Sequence, residues 1–170
     1  MPKGLKETSS TVAIGFNVFE TAANTFTQSS VDLNLDPLNN EVFVVQAIDM
    51  TLGPCDAVGG TDTAMFGSLT TTSQTAVATL ADSNCIAIAG NQIRGSGFAD
   101  GGVAFQQTPT ESPGTVLEYI GIIATNDFFI QVAGTNNAVA HGMSGKLYGY
   151  RARADSSVYA ALVQSEVLSA

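Results

Sequence analysis

The sequence predicts an all-β fold, an antiparallel β-sandwich with one short C-terminal helix, and three observations carry that prediction. Short segments rich in Val, Ile, Thr, Phe and Tyr recur along the chain, punctuated by Gly, Asn, Asp and Pro. Apolar and polar residues alternate with period 2 in most of them, and a helical period emerges only after Asp155. Charge is also scarce: 12% of the 170 residues are charged and 45% hydrophobic, where ordinary soluble domains carry about 25% charge.

A chain of 17.5 kDa fits one domain with its own core. We expect a short polar arm over residues 1–10 and a single sandwich over 11–170, with the helix at 156–168. After the arm, "TVAIGFNVF" places Val12, Ile14, Phe16 and Val18 on one face. "FTQSSVDLNLD" then sets Val31, Leu33 and Leu35 against Asp32, Asn34 and Asp36, and "PLNN" turns the chain.

The next strand, "EVFVVQAIDMTL", raises the central question. One alternation carries Val42, Val44, Gln46, Ile48, Met50 and Leu52, the other Phe43, Val45, Ala47, Asp49 and Thr51. Both are largely apolar, so something must cover each face. A buried parallel sheet would need several crossover helices, which the sequence lacks. The remaining explanation is one face in the core and the other against a neighbouring subunit. The set that turns polar at one end has the pattern of an interface reaching its rim, which makes Phe43, Val45 and Ala47 the candidate subunit-interface residues.

Between Gly53 and Pro113, "TAMFGSLTTTS", "TAVATL", "CIAIAG" and "VAFQQT" have strand character. "VLEYIGII" and "DFFIQVAG" flank "ATN" as a hairpin would. "MSGKLYGYRARA" then sets Tyr148 and Tyr150 against Leu147, Gly149 and Arg151. In the closing helix Asp155 is the expected N-cap, with Val158, Tyr159, Leu162, Val163 and Glu166 on one stripe.

Six Lys and Arg are scattered against fifteen Asp and Glu, for a net charge of −9. That excludes the clustered cations a nucleic-acid surface needs, so no direct nucleic-acid contact is expected. No apolar run reaches the ~18 residues of a membrane span, and "MPKGLKETSS" has no secretory h-region.

Chemistry is thin. His141 is the single histidine, and "HGMSG" lacks the G-x-S-x-G spacing of a nucleophile elbow. "GSGFADGG" misses the spacing of a dinucleotide loop. Cys55 and Cys85 have no metal or redox spacing and read as inert thiols, a single disulfide being the alternative. Asp32, Asn34 and Asp36 could offer oxygens to calcium, but lack the glycine and terminal glutamate of an EF-hand and read as a solvent face. We therefore expect no enzyme, no cofactor and no structural metal.

The stretches "EYIGIIATNDFFIQVAGTNN" and "GKLYGYRARAD", on this strand-rich plan, resemble single jelly-roll capsid proteins of small icosahedral viruses. The resemblance implies an eight-stranded, two-sheet jelly roll that assembles in many copies with itself and other virion proteins, in the host cytoplasm, and resides in the virion. The chain departs from many such proteins in lacking an Arg/Lys-rich N-terminal arm. That departure points to genome contact through another component, an internal membrane or a separate protein. The alternatives are a phage decoration, spike or tail protein or other surface-layer subunit, and a carbohydrate-binding or hydrolytic β-sandwich.

Overall fold

The computed structural model describes residues 2–97, 104–108 and 117–170. Ten strands run in chain order: β1 (Leu5–Glu7), β2 (Val12–Phe19), β3 (Thr27–Asp32), β4 (Glu41–Leu52), β5 (Thr63–Thr70), β6 (Cys85–Arg94), β7 (Ala104–Thr108), β8 (Gly121–Ile123), β9 (Asp127–Thr135) and β10 (Gly142–Ala154). A short 3-10 turn, Pro37–Asn39, precedes β4, and helix α1, Ser156–Leu168, follows β10. "TAVATL" is not a strand but part of the loop between β5 and β6. Most of "GSGFADGG" lies outside the described residues.

The strands form two antiparallel sheets. In the first, β10 lies between β4 and an edge made jointly by β1 and β2, and β8 borders β4. The second has the order β3–β9–β5–β6–β7. With β1 and β7 set aside, β2–β10–β4–β8 faces β3–β9–β5–β6, and every connection except β5–β6 changes sheets. That is the strand order of a jelly roll.

The segment read as a hairpin is one of these crossings. β8 pairs with β4 and β9 with β3 and β5, so "ATN" is a corner between sheets. Residue composition made both arms good strands, but composition does not name the partner.

The space between the sheets is filled. Phe16 meets Phe128 edge-on with ring centroids 5.8 Å apart, and Phe43, Met65, Leu69, Ile130 and Leu147 are buried around them.

β4 answers the question its sequence raises, and it corrects the interface assignment. Tyr148 of β10 pairs with Ala47 but Gly149 pairs with Val45, so Gln46 is an extra residue in a β-bulge. The bulge flips the alternation: Phe43, Val45, Ile48 and Met50 all enter the inter-sheet core. Phe43 and Val45, 1% and 0% exposed, are therefore core residues and not interface residues. Gly149 lies opposite the bulge because a Cβ there would strike the Val44 carbonyl and the Phe43 ring.

The opposite face of β4, Val42 and Val44, is covered by the chain's own helix. Val158, Tyr159, Leu162 and Val163 of α1 pack over Val42, Val44, Ala124, Tyr150 and Ala152. One helix does what the sequence pattern assigned to a neighbouring subunit, although its exposed side also carries Ala160, Ala161, Val167 and Leu168. Asp155 occupies the N-cap position with extended backbone, but its side chain makes no capping bond. Leu5–Glu7, within the expected polar arm, extends the sheet as β1 beside Ala152–Ala154.

Candidate functional site

The polar residues of this fold gather mainly where loops meet at the ends of the sandwich, because backbone that leaves a ladder must find partners elsewhere. At one end, the loops after β2, β4 and β9 are tied together by acids and amides. Glu20, 3% exposed, accepts from the backbone N–H groups of Gly134 (2.6 Å) and His141 (3.0 Å). Asn24 and Asn137 exchange amide-to-backbone bonds of 2.7 and 2.8 Å. Asp56 accepts from Ala138 N–H (2.7 Å) and Val139 N–H (3.1 Å), and its other oxygen lies 3.1 Å from His141 Nε2. The Val139 N–H is the main reason the Asp56 carboxyl sits below its usual range, with Ala138 and His141 adding to it.

This cluster is the nearest approach to a catalytic arrangement, and its chemistry is that of a staple. The His141 ring bonds a carboxylate that two backbone donors already occupy, and it has no serine, threonine or cysteine partner among the described residues. Asp62 plays a similar part between β5 and β6, holding Ser96 N–H (3.0 Å), Gly95 N–H (2.9 Å) and Arg94 (3.1 Å). Those donors, the Ser96 N–H foremost, lower its carboxyl to about 2.

At the opposite end the calcium candidates serve the backbone. Asp32 accepts from Asn34 N–H (2.6 Å) and Asn126 Nδ2 (2.7 Å), and Asp36 caps the 3-10 turn through Leu38 N–H (3.0 Å). Asn34 itself is in the left-handed region, φ 50°. The side chains of Asp32 and Asp36 are thus directed to separate turns, and Asn34 turns the backbone between them. Arg151 closes this end on the carbonyls of Leu33 (2.8 Å) and Asn34 (3.1 Å), with Glu41 at 3.4 Å.

Both cysteines are free. Cys55 is buried with its Sγ 3.1 Å from the Asn91 carbonyl. Burial pushes the half-buried Cys85 thiol up to about 11, with Asp82 adding to it.

A polar network that the sequence reading missed lies on the outer face of the second sheet. Gln131, fully buried, accepts from Ser68 Oγ (2.7 Å) and donates to Thr70 Oγ1 (2.7 Å) and Gln28 Oε1 (3.0 Å). Gln28 in turn accepts from Gln74 N–H (2.8 Å), and Ser68 Oγ from Ala78 N–H (3.0 Å). The loop between β5 and β6 is thereby folded back over the sheet, leaving an apolar groove of about 490 Å³ floored by Phe66, Ile88 and Ala133. A glutamine amid "FFIQV" was the signal: a polar side chain in so apolar a run must be satisfied where it is buried.

The outer face of the first sheet beyond α1 is mild. Half-buried Ala47 pairs with Tyr148, and exposed Asp49 with Lys146. Large apolar side chains stand exposed mainly on turns, loops and strand ends: Leu38 at 93%, Leu80 at 66%, Phe19 at 63% and Phe105 at 62%. No described helix is long and apolar enough to cross a membrane.

No family model matches the chain, and no curated protein matches it in sequence. Among solved structures, it is similar to a chain of Desmodium yellow mottle tymovirus at 11% identity, with a TM-score of 0.30, covering 92% of this chain and 96% of that one. At that score the likeness carries no argument.

Proposed function

We propose that this protein is a structural, self-assembling subunit, most specifically a shell subunit of an icosahedral virus that resides in the virion. Folds of this kind host many functions, so the site has to supply the argument. The observation that carries it is where the apolar surface lies. The jelly-roll interior is filled by one cluster of buried apolar side chains and its polar clusters are consumed in tying loops, while Leu38, Leu168, Leu80, Phe19 and Phe105 remain largely exposed. Exposed aromatic and aliphatic side chains around a packed core are what protein partners bury.

The partner is foremost another copy of the chain, with other virion proteins beside it. Genome contact belongs to another component. Arg94, Arg151 and Arg153 are engaged with Asp62, Glu41 and the backbone around Asn39, which leaves little cationic surface for phosphates.

Size-exclusion chromatography with light scattering, followed by electron microscopy of the largest species, tests the reading. Closed particles of many copies are the expected result. Small rings or trimers would move the protein to the decoration or spike class, and a monomer at high concentration would overturn self-assembly altogether.

A further inference from the structure

We infer that the β2 edge of the first sheet pairs with the β2 edge of a second copy, antiparallel about a two-fold axis at Gly15, so that two sandwiches share one continuous sheet. The inference rests on the assembly reading above and adds where and how two copies meet.

β2 is a terminal strand. It pairs with β10 from Val12↔Gly149 to Phe19↔Gly142, and among the described residues no strand borders its other side. An antiparallel edge strand directs about half of its backbone N–H and C=O groups away from its neighbour, and those groups are a template for another strand. Folded proteins blunt such edges with lysine, proline, inward charges, bulges or short length. The sequence "VAIGFNVF" has none of these: eight residues, no charge, no proline, and an unbroken register with β10. Glu20, which follows directly, is turned inward onto Gly134 and His141 and guards nothing. Of the other edges among the described residues, β3 is polar and ends in Asp32, β8 has three residues, and β7, which also lacks charge and proline, has five against the eight of β2.

The occupant follows from charge and symmetry. Each copy carries a net charge of −9, so two copies approach most easily where neither presents an ion. A two-fold axis normal to the sheet places like-facing residues opposite one another. With the axis at Gly15, Val12 meets Val18 and Ile14 meets Phe16 on the core side, while Ala13 meets Asn17 on the outer side. The apolar pairs extend the core across the junction, covering Val12, which is 41% exposed in one copy. The outer pairs, Ala13 with Asn17, are short and uncharged.

Gly15 also supplies the test. A Cβ at this position meets nothing within 4 Å and its φ is not in the left-handed region, so a side chain leaves the single copy undisturbed. Across the axis, however, the two side chains would face each other. Gly15→Glu and Gly15→Lys should each fold as wild type by circular dichroism yet weaken the two-copy unit at least tenfold by light scattering. Mixing the two variants should restore it, because opposite charges then meet. Gly15→Cys should give a disulfide-linked pair on mild oxidation, read on a non-reducing gel. Wild-type assemblies that persist unchanged in both charged variants, or charged variants that fail to rescue each other, would overturn the pairing and leave assembly standing. A wild-type protein that is monomeric would overturn both.

Discussion

Replacing Glu166 by alanine removes the bolt between the C-terminal helix and the corner that joins the two sheets. The Glu166 carboxylate, 8% exposed, accepts from Ala124 N–H at 2.8 Å and from Thr125 N–H at 3.0 Å. Both donors sit where the chain has left β8 and has not yet joined β9, so no ladder can take them over. The buried Ala124 N–H, left without an acceptor, costs about 1–3 kcal/mol, and the half-buried Thr125 N–H about 1 kcal/mol because water can reach it. Against this stands the cost of holding a carboxylate out of water, which raises the Glu166 carboxyl above its ordinary range. The net expectation is a destabilisation of about 1–3 kcal/mol, or roughly 2–4 °C of melting temperature for each kcal/mol in a chain of this size. Glu166→Gln keeps one acceptor without the charge and should lose less than the alanine variant. Urea unfolding followed by circular dichroism, at a concentration where light scattering reports one species, measures the loss. Amide exchange at Ala124 and Thr125 locates it. An alanine variant with an unchanged midpoint and unchanged protection of those two amides would refute the bolt.

Phe43→Ala should cost about 3–5 kcal/mol in urea unfolding, as the loss of a fully buried ring in the inter-sheet core does, whereas Ala47→Glu on the outer face should leave the unfolding midpoint within about 0.5 kcal/mol. Acid should loosen the β5–β6 end first. The Asp62 carboxyl is lowered to about 2, so its stabilisation is present above the ordinary carboxylate value near 4 and is lost as pH falls toward 2, which amide exchange at Gly95 and Ser96 reads directly. Glu166 has the opposite sign: with its folded value raised, it stabilises most below the unfolded value and less as pH climbs through the folded one. The Cys85 thiol, raised to about 11, should alkylate far more slowly at neutral pH than a fully exposed thiol, and rapid labelling of the folded protein would contradict its burial.

The strands were legible where alternation is clean. In β2 the sequence pattern put Phe16 and Val18 inward, and both are buried. In α1 the stripe of Val158, Tyr159, Leu162, Val163 and Glu166 is the face that packs. The failures share a cause, which is that local pattern does not encode partner or register. One extra residue, Gln46, reversed the alternation of β4 and sent Phe43 and Val45 into the core. The run through "ATN" has hairpin composition, but β8 and β9 belong to different sheets. The His141–Asp56 bond spans 85 residues of sequence and left no local trace in it.

These corrections move the expected contacts between copies from faces to edges. The two-sided apolarity of β4 is satisfied inside one chain, by core on one side and α1 on the other, so it no longer testifies to a neighbour. The second sheet is covered in part by the β5–β6 loop, held over its outer face by Gln131, Ser68 and Gln28 beside the groove floored by Phe66, Ile88 and Ala133. Apart from that groove, Leu80 on the β5–β6 loop and Val167 and Leu168 at the end of α1, what is left uncovered lies around the periphery of the sandwich: the β2 edge, Phe19 at its end, Leu38 on the turn before β4, and Phe105 on the far edge strand. A subunit that uses its faces stacks into layers, whereas one that uses its edges and ends tiles a surface and keeps both faces free. Tiling is the geometry a closed shell requires, and under the assembly proposed above the exposed side chains at the edges, Phe19 and Phe105, are the ones that tiling would bury.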